Sequence, residues 1–142
     1  MGKKTDINAL VRDLNTALPL LARDAAAAAL AAGTIPGAEG VVLAQPLGDI
    51  AAAELADVER VAARVASLGG SPSVTLKKLD PPGKAGATLQ WLAKMQREAI
   101  DAVVAAIPAD ADDAEGEATE HLLEHIVARK RDVIELLERA LR

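Results

Sequence analysis

The stretch from Glu54 to Pro72 constrains the fold of this chain more than any other. It has the pattern of a helix that ends at Gly69-Gly70-Ser71-Pro72, because glycine and proline terminate helices. Heptad steps through the helix place two acids, Glu54 and Asp57, on one seam with apolar residues. The seam comprises Leu47, Ile50, Glu54, Asp57, Val61 and Leu68. Carboxylates on an inward seam need partners, so the helix predicts charges in the core.

A second orientation of the same helix stays open. If it is rotated, the acids lie at the rim and a different apolar set faces inward. That set is Ala51, Leu55, Val58, Ala62 and Val65.

Helical periodicity predicts three more helices. Helix A covers about 6–32, is capped by Thr5 or Asp6, and contains Pro19, which introduces a risk of a break. The helix with the two acids, helix B, starts near Ala38, is kinked or restarted at Pro46, and is strongest over 47–68.

Helix C covers about 84–107, and helix D opens at a capping pair formed by Asp112 and Glu115. The segment 70–83 lacks periodicity and forms a long connection between helices B and C. The pattern therefore predicts an all-α bundle of four helices.

Composition agrees with a helical bundle. The chain has 142 residues, of which 51% are hydrophobic and only 1% aromatic, so we expect one domain, 1–142, with a core of small and aliphatic side chains. A net charge of −5 and scattered basic residues argue against binding to nucleic acid. There is no cysteine for a disulfide or a thiolate site, and the longest apolar run, Ala25 to Ala32, is too short to span a membrane. We expect a cytoplasmic protein.

Helix B resembles the second helix of bacterioferritins. In that family Glu-x-x-His is followed by Arg, Leu, Gly and Pro, and this chain has the same register at Glu54, Asp57, Arg64, Leu68, Gly70 and Pro72. The resemblance implies a ferritin-like up-down-down-up four-helix bundle with a long connection from B to C. It also implies a dimetal site, in which the family's histidine is replaced here by Asp57.

The resemblance locates the other ligand positions of that site. On helix A the ligand position falls on Leu21, which cannot bind metal, and Asp24 one turn later is either a substitute or a solvated acid beside Arg23. On helix C it falls at or near Glu98. The family's haem-binding Met corresponds to Leu55, so the resemblance implies no haem.

Helix D has two alignments with the family. Aligning its end puts the Glu-x-x-His pair on Arg129 and Asp132, which replaces a carboxylate by a permanent cation. Sliding the register puts the family's histidine on His125 or His121, whose partner three residues earlier, Leu122 or Ala118, is not a ligand. The two histidines share a helix face and could bind a metal together, or form a polar rim.

Three functions follow as expectations. The favoured one is a ferritin-like protein without a working dimetal centre, in which Arg129 takes the place of metal among Glu54, Asp57 and Glu98, no cofactor binds, and the chain acts in assembly or binding. The alternative is a metal-binding oxidoreductase or iron-storage protein with a remodelled carboxylate and histidine site. A third is a small-molecule pocket beside Trp91.

The alanine-rich end of helix A also bears on assembly. Residues 24–32 are apolar on nearly every side, and one bundle cannot cover all of that surface. We therefore expect a homodimer formed through helices A and B.

Overall fold

Four helices make up the regular structure of residues 4–108, 110 and 112–142, the part of the chain that this computed structural model describes. They are α1 (Ile7–Thr34), α2 (Gly37–Ser67), α3 (Ala85–Ala106) and α4 (Ala114–Ala140). No strand occurs within those residues. The prediction of an all-α four-helix bundle is confirmed, and each helix ends within about two residues of its expected bound.

The internal prolines do not divide their helices. Pro19 lies inside α1 and Pro46 inside α2, and both helices continue through them. Of the two expectations at Pro46, a kink or a restart, the restart is therefore wrong. A proline in a helix interior costs about 3 kcal/mol, which packing of the neighbouring turns must offset. Leu18 and Leu47, the residues next to the two prolines, are both buried.

The cap of α4 lies one residue later than the sequence predicted. Asp113, not Asp112, is the N-cap, and its Oδ1 accepts a hydrogen bond of 2.8 Å from the backbone N–H of Gly116. The same carboxylate accepts hydrogen bonds from the backbone N–H and the hydroxyl of Thr5. Asp113 therefore joins the start of α4 to the segment that leads into α1.

Two hydrophobic clusters establish the directions of the helices. The first joins the starts of α1 and α4 to the ends of α2 and α3, and includes Leu14, Val61, Val103 and Leu123. The second joins the opposite ends and includes Ala31, Leu47, Leu89 and Leu137. Thus α1 and α4 run one way while α2 and α3 run the other, which is the up-down-down-up order.

The connection between α2 and α3 follows from these directions. Its start lies beside α1, where Asn15 donates to the carbonyl of Ser71 at 3.0 Å and accepts from the N–H of Ser73. Further along, Leu79 packs against the second cluster. Residues 68–84 thus join opposite ends of the bundle without a helix or strand. Within the described part of the chain, no helix is long and apolar enough to cross a membrane.

Candidate functional site

A layer of polar side chains separates the two hydrophobic clusters. Each helix contributes one member, and these are Asp24, Glu54, Gln96 and Lys130. All four are buried, with Lys130 only 2% exposed. Charged residues are almost never buried this deeply unless they are paired, so their contacts with one another decide whether the layer is tolerated.

The ammonium of Lys130 is at the centre of the layer. It donates hydrogen bonds to Asp24 Oδ2 at 2.8 Å, to Glu54 Oε2 at 3.1 Å and to Gln96 Oε1 at 3.1 Å. An ammonium has three N–H donors, so these three acceptors use its full capacity. The Gln96 amide in turn donates to the second Glu54 oxygen.

A second cation completes the charge balance of the layer. Arg23 bonds to Asp24 Oδ1, with its Nε at 3.2 Å, and is largely covered by its surroundings. Its other nitrogens donate to the Met95 carbonyl and the Glu98 carboxylate. Two cations, Arg23 and Lys130, therefore balance two buried carboxylates, Asp24 and Glu54.

Burial and ion pairing shift the pKa values of the Asp24 and Glu54 carboxyl groups in opposite directions. Loss of solvation raises the pKa of both Asp24 and Glu54, and the Lys130 ammonium partly offsets this effect. Repulsion from Asp24 adds to the upward shift of the Glu54 pKa. The net direction of both pKa shifts is upward because desolvation of the carboxylates outweighs the nearby cations, which are Lys130 for both groups and also Arg23 for Asp24.

A second ion cluster lies next to this layer, at the edge of the α2–α4 contact. Asp57 is buried and accepts from Arg60 Nη1 at 2.8 Å and from Arg129 Nε at 3.1 Å, with a further bond from Arg129 Nη2. The Arg129 side chain is 39% exposed, so it covers Asp57 from the solvent side. The guanidinium thus binds the carboxylate through two nitrogens.

Both ion clusters border a cleft between α2 and α4. The cleft has a volume of about 410 Å³, and Ile50, Val133 and Leu136 supply apolar parts of its wall. Asp57 and Arg129 line it together with Glu54 and Lys130.

The structure brings some of the sequence-predicted residues together and separates others. Glu54 and Asp57 both face inward, as in the first orientation of helix B. Glu98 does not reach them, because its side chain is 48% exposed and pairs with Arg23 at 2.9 Å. Asp132 is exposed on α4. Arg129 contacts Asp57 but is not the central cation.

The remaining predicted positions lie outside the polar layer. Leu21 is buried in the first hydrophobic cluster, and the carboxylate of α1 comes from Asp24 one turn later. Leu55 points outward and is 57% exposed. Trp91 packs against the second hydrophobic cluster.

Sequence reasoning missed the two residues that complete the layer, Gln96 and Lys130. The resemblance placed Arg129 of helix D among the acids, whereas the inward stripe of α4 passes through the next residue, Lys130. The observed stripe comprises Leu123, Ile126, Lys130, Ile134 and Leu137. A heptad count from Leu123 to Lys130 and Leu137 fits this stripe, but Leu122, Arg129 and Leu136 have the same seven-residue spacing.

The histidines of α4 form a separate feature. His121 and His125 are exposed, and their Nε2 atoms are 3.1 Å apart. Their rings meet edge to face with centroids 4.4 Å apart. One ring donates its N–H to the other, and neither takes part in the polar layer.

The residues of the polar layer do not fit a dimetal centre. Such a centre needs a Glu from each of two helices and a Glu-x-x-His pair from each of the other two. Here α3 supplies an amide and α4 an ammonium, and the ammonium holds oxygens that a metal would need. Across the part of the chain that the structure describes, no group of three or more His, Asp or Glu side chains is arranged to hold a metal ion.

Comparison with solved structures defines the class of fold. A ferritin-like diiron-carboxylate protein from Bacillus anthracis str. Ames matches with a TM-score of 0.87 and 19% identity, over 99% of this chain and 100% of that one. The dodecameric thioferritin, a bacterioferritin-related protein from Bacteroides fragilis, matches with a TM-score of 0.85 and 19% identity, over 97% of this chain and 87% of that one.

A third match is the bacterioferritin of Rhodobacter capsulatus. Its TM-score is 0.73 with 17% identity, over 98% of this chain and 86% of that one. No protein-family model and no curated protein matches this chain by sequence. The chain therefore has the ferritin-like four-helix-bundle fold.

Proposed function

We propose that this protein is a ferritin-like bundle that has lost the ferroxidase centre and acts as a non-catalytic assembly or binding module. The observation that carries the proposal is the Lys130 ammonium, which donates to Asp24, Glu54 and Gln96. A dimetal centre neutralises its carboxylates with metal ions. A covalently attached cation at the same level of the bundle does so without a cofactor.

Redox chemistry and storage both require iron to reach the carboxylates. With Lys130 in place, an entering divalent ion would have to displace an ammonium that uses all three of its donors. Two positive charges would then be close together in a buried site, which is strongly unfavourable. The alternative function, a remodelled metal-binding oxidoreductase or storage protein, lacks support at this layer for the same reason.

Iron oxidation and metal content test the loss of the centre. We expect Fe²⁺ to be oxidised by air at the same rate with the protein as in buffer alone. We also expect the protein to bind no stoichiometric iron. The same measurements on a His121→Gln/His125→Gln variant distinguish iron binding at the surface histidines from iron binding in the core. Iron that binds in both proteins and is lost on Glu54→Ala would contradict the proposal.

A gain of metal binding is the sharper test. Lys130→Glu combined with Gln96→Glu would place carboxylates from all four helices at one level. In a His121→Gln/His125→Gln background, which removes the surface histidines, we expect this variant to bind Zn²⁺ or Fe²⁺ in the core, where the otherwise unchanged core binds none. Lys130→Met is the matched control, because it removes the ammonium without adding a ligand. Equal metal binding by the control and the double variant would contradict the role given to Lys130.

Assembly is the second part of the proposal, as a homodimer formed through α1 and α2. The thioferritin with this fold is dodecameric, and here the outward faces of α1 and α2 expose Leu30, Val41, Val42 and Leu55. Val41 is 80% exposed and Val42 72%, which costs free energy unless a partner covers them.

Sedimentation at micromolar concentration tests the assembly. We expect a species larger than the monomer that Val42→Asp or Leu55→Asp dissociates. Val104→Asp on α3 is the control, since that valine is 51% exposed on another helix. A monomeric parent, or dissociation by the control alone, would exclude the proposed interface.

A further inference from the structure

We propose that His121 and His125 form a bidentate surface site for a transition-metal ion such as Cu²⁺, Ni²⁺ or Zn²⁺. The site lies on the outer face of α4 and is independent of the polar layer. It uses both histidines of the chain.

The distance between the two ring nitrogens carries the inference. Residues four apart on a helix lie one above the other, and the two Nε2 atoms here are 3.1 Å apart. Metal bonds to imidazole nitrogen are about 2.0 to 2.1 Å long, and two such bonds at octahedral or tetrahedral angles span about 2.9 to 3.4 Å. The observed separation falls within that span.

The present contact between the rings does not block the site. The Nε2 atoms face each other, so the N–H of one ring must donate a hydrogen bond to the nitrogen of the other. A rotation of each ring turns both Nε2 lone pairs toward one point in solvent. The metal then takes the position of the shared hydrogen, and the proton of the donor ring moves through solvent to its Nδ1, so that both imidazoles stay neutral. Because both side chains are exposed, water can complete the coordination shell.

The surroundings of the pair favour a cation. Glu117, Glu120 and Glu124 lie on the same part of α4. The negative charges of these carboxylates increase the local concentration of cations.

Ligand chemistry defines the class of ion. Neutral imidazole suits Cu²⁺, Ni²⁺ and Zn²⁺, whereas Mg²⁺ and Ca²⁺ prefer oxygen ligands. For two nitrogen ligands Cu²⁺ binds most tightly of the divalent first-row ions. We therefore expect Cu²⁺ to bind more tightly than Ni²⁺ or Zn²⁺, and Mg²⁺ not to compete.

Titration of the metal-free protein with Cu²⁺ tests the site, with electron paramagnetic resonance to count the coordinated nitrogens. We expect one equivalent to bind with two imidazole nitrogens. His121→Gln and His125→Gln should each abolish this stoichiometric site. Binding that survives in the double variant, or a parent that binds no Cu²⁺ at micromolar concentration, would overturn the proposal.

A control with the same number of histidines separates geometry from composition. Glu120→His combined with His125→Gln keeps two histidines but makes them adjacent, so they point away from each other. Glu120→Gln alone shows the effect of losing the carboxylate without adding a histidine. We expect the Glu120→His/His125→Gln variant to lose the Cu²⁺ site and the Glu120→Gln variant to keep it. Equal binding by the adjacent pair would show that the spacing is irrelevant and would also overturn the proposal.

Discussion

The Nζ of Lys130 on α4 lies 2.8 Å from Oδ2 of Asp24 on α1, although the two residues are 106 positions apart in the chain. This pair connects the first helix to the last through the middle of the bundle. Its partners Glu54 and Gln96 bring in the other two helices. Removing a charge from this layer therefore affects all four helices.

Lys130→Met should destabilise the protein by about 3 to 5 kcal/mol at neutral pH, because it leaves Asp24 and Glu54 buried without their shared cation. Chemical denaturation followed by circular dichroism measures the loss. Lys94→Met, on the exposed face of α3, is the control and should change stability little. A small effect of Lys130→Met would mean that the ammonium does not compensate the two acids.

The cost of Lys130→Met should also depend on pH. The native pKa values of Asp24 and Glu54 are raised above their ordinary 3.8 and 4.5, so the folded state binds protons more tightly than the unfolded state. These two groups therefore lower the unfolding free energy as pH rises from those ordinary values through the native ones. Without Lys130 the native values rise further. The stability difference between parent and variant should shrink as pH falls toward 4.5, and a difference that grows toward low pH would contradict this sign.

Gln96→Leu should cost about 1 to 3 kcal/mol. The leucine leaves Lys130 with one donor unpaired and Glu54 with one acceptor unpaired inside the bundle. Gln90→Leu is the control, since Gln90 is exposed on the same helix. Thermal unfolding of both variants compares them directly. Equal stability of the two would show that the amide of Gln96 contributes nothing to the layer.

Two glycines of α2 should respond in opposite ways to alanine. A Cβ on Gly40 would collide with the backbone carbonyl of Ile35, which cannot rotate away, so Gly40→Ala should cost about 1 to 3 kcal/mol or more. A Cβ on Gly48 meets nothing within 4 Å, so Gly48→Ala should stabilise the helix by up to about 1 kcal/mol. Denaturant midpoints test both. A tolerated alanine at position 40 would show that the turn between α1 and α2 can move.

The Thr5 contact should be visible in the titration of Asp113. The Thr5 hydroxyl, the Thr5 N–H and the Gly116 N–H donate to this carboxylate and lower its pKa to about 2. Its contribution to stability is therefore present above the ordinary value of 3.8 and is lost as pH falls through about 2. Thr5→Val should move the midpoint up, as followed by carboxyl carbon NMR. Thr16→Val is the control, since that hydroxyl donates to a backbone carbonyl. An unchanged midpoint in Thr5→Val would exclude the hydroxyl as the cause.

The sequence alone determined the helices and their assembly into a bundle. The signals are local: apolar residues at helical spacing, Asp6 before α1, and the Gly-Gly-Ser-Pro stop after α2. The sequence placed Glu54 and Asp57 on a seam that is otherwise apolar but left the rotated orientation of their helix open, and their burial in the folded bundle decides for the inward one. The restart considered at Pro46 and the cap expected at Asp112 are the local predictions that the structure corrects.

Only the tertiary structure decided which residues meet those acids. On α3 and α4 neighbouring stripes are similarly apolar, and a shift of one residue turns a helix by about 100°, so local pattern does not choose between Arg129 and Lys130. Aliphatic side chains pack into both ends of the core. This packing sets the rotation of α3 and α4 about their axes and places Lys130 and Gln96 in the layer between the two clusters. The hydrogen bonds of Lys130 join residues from all four helices. The packing of the whole bundle holds these residues in place.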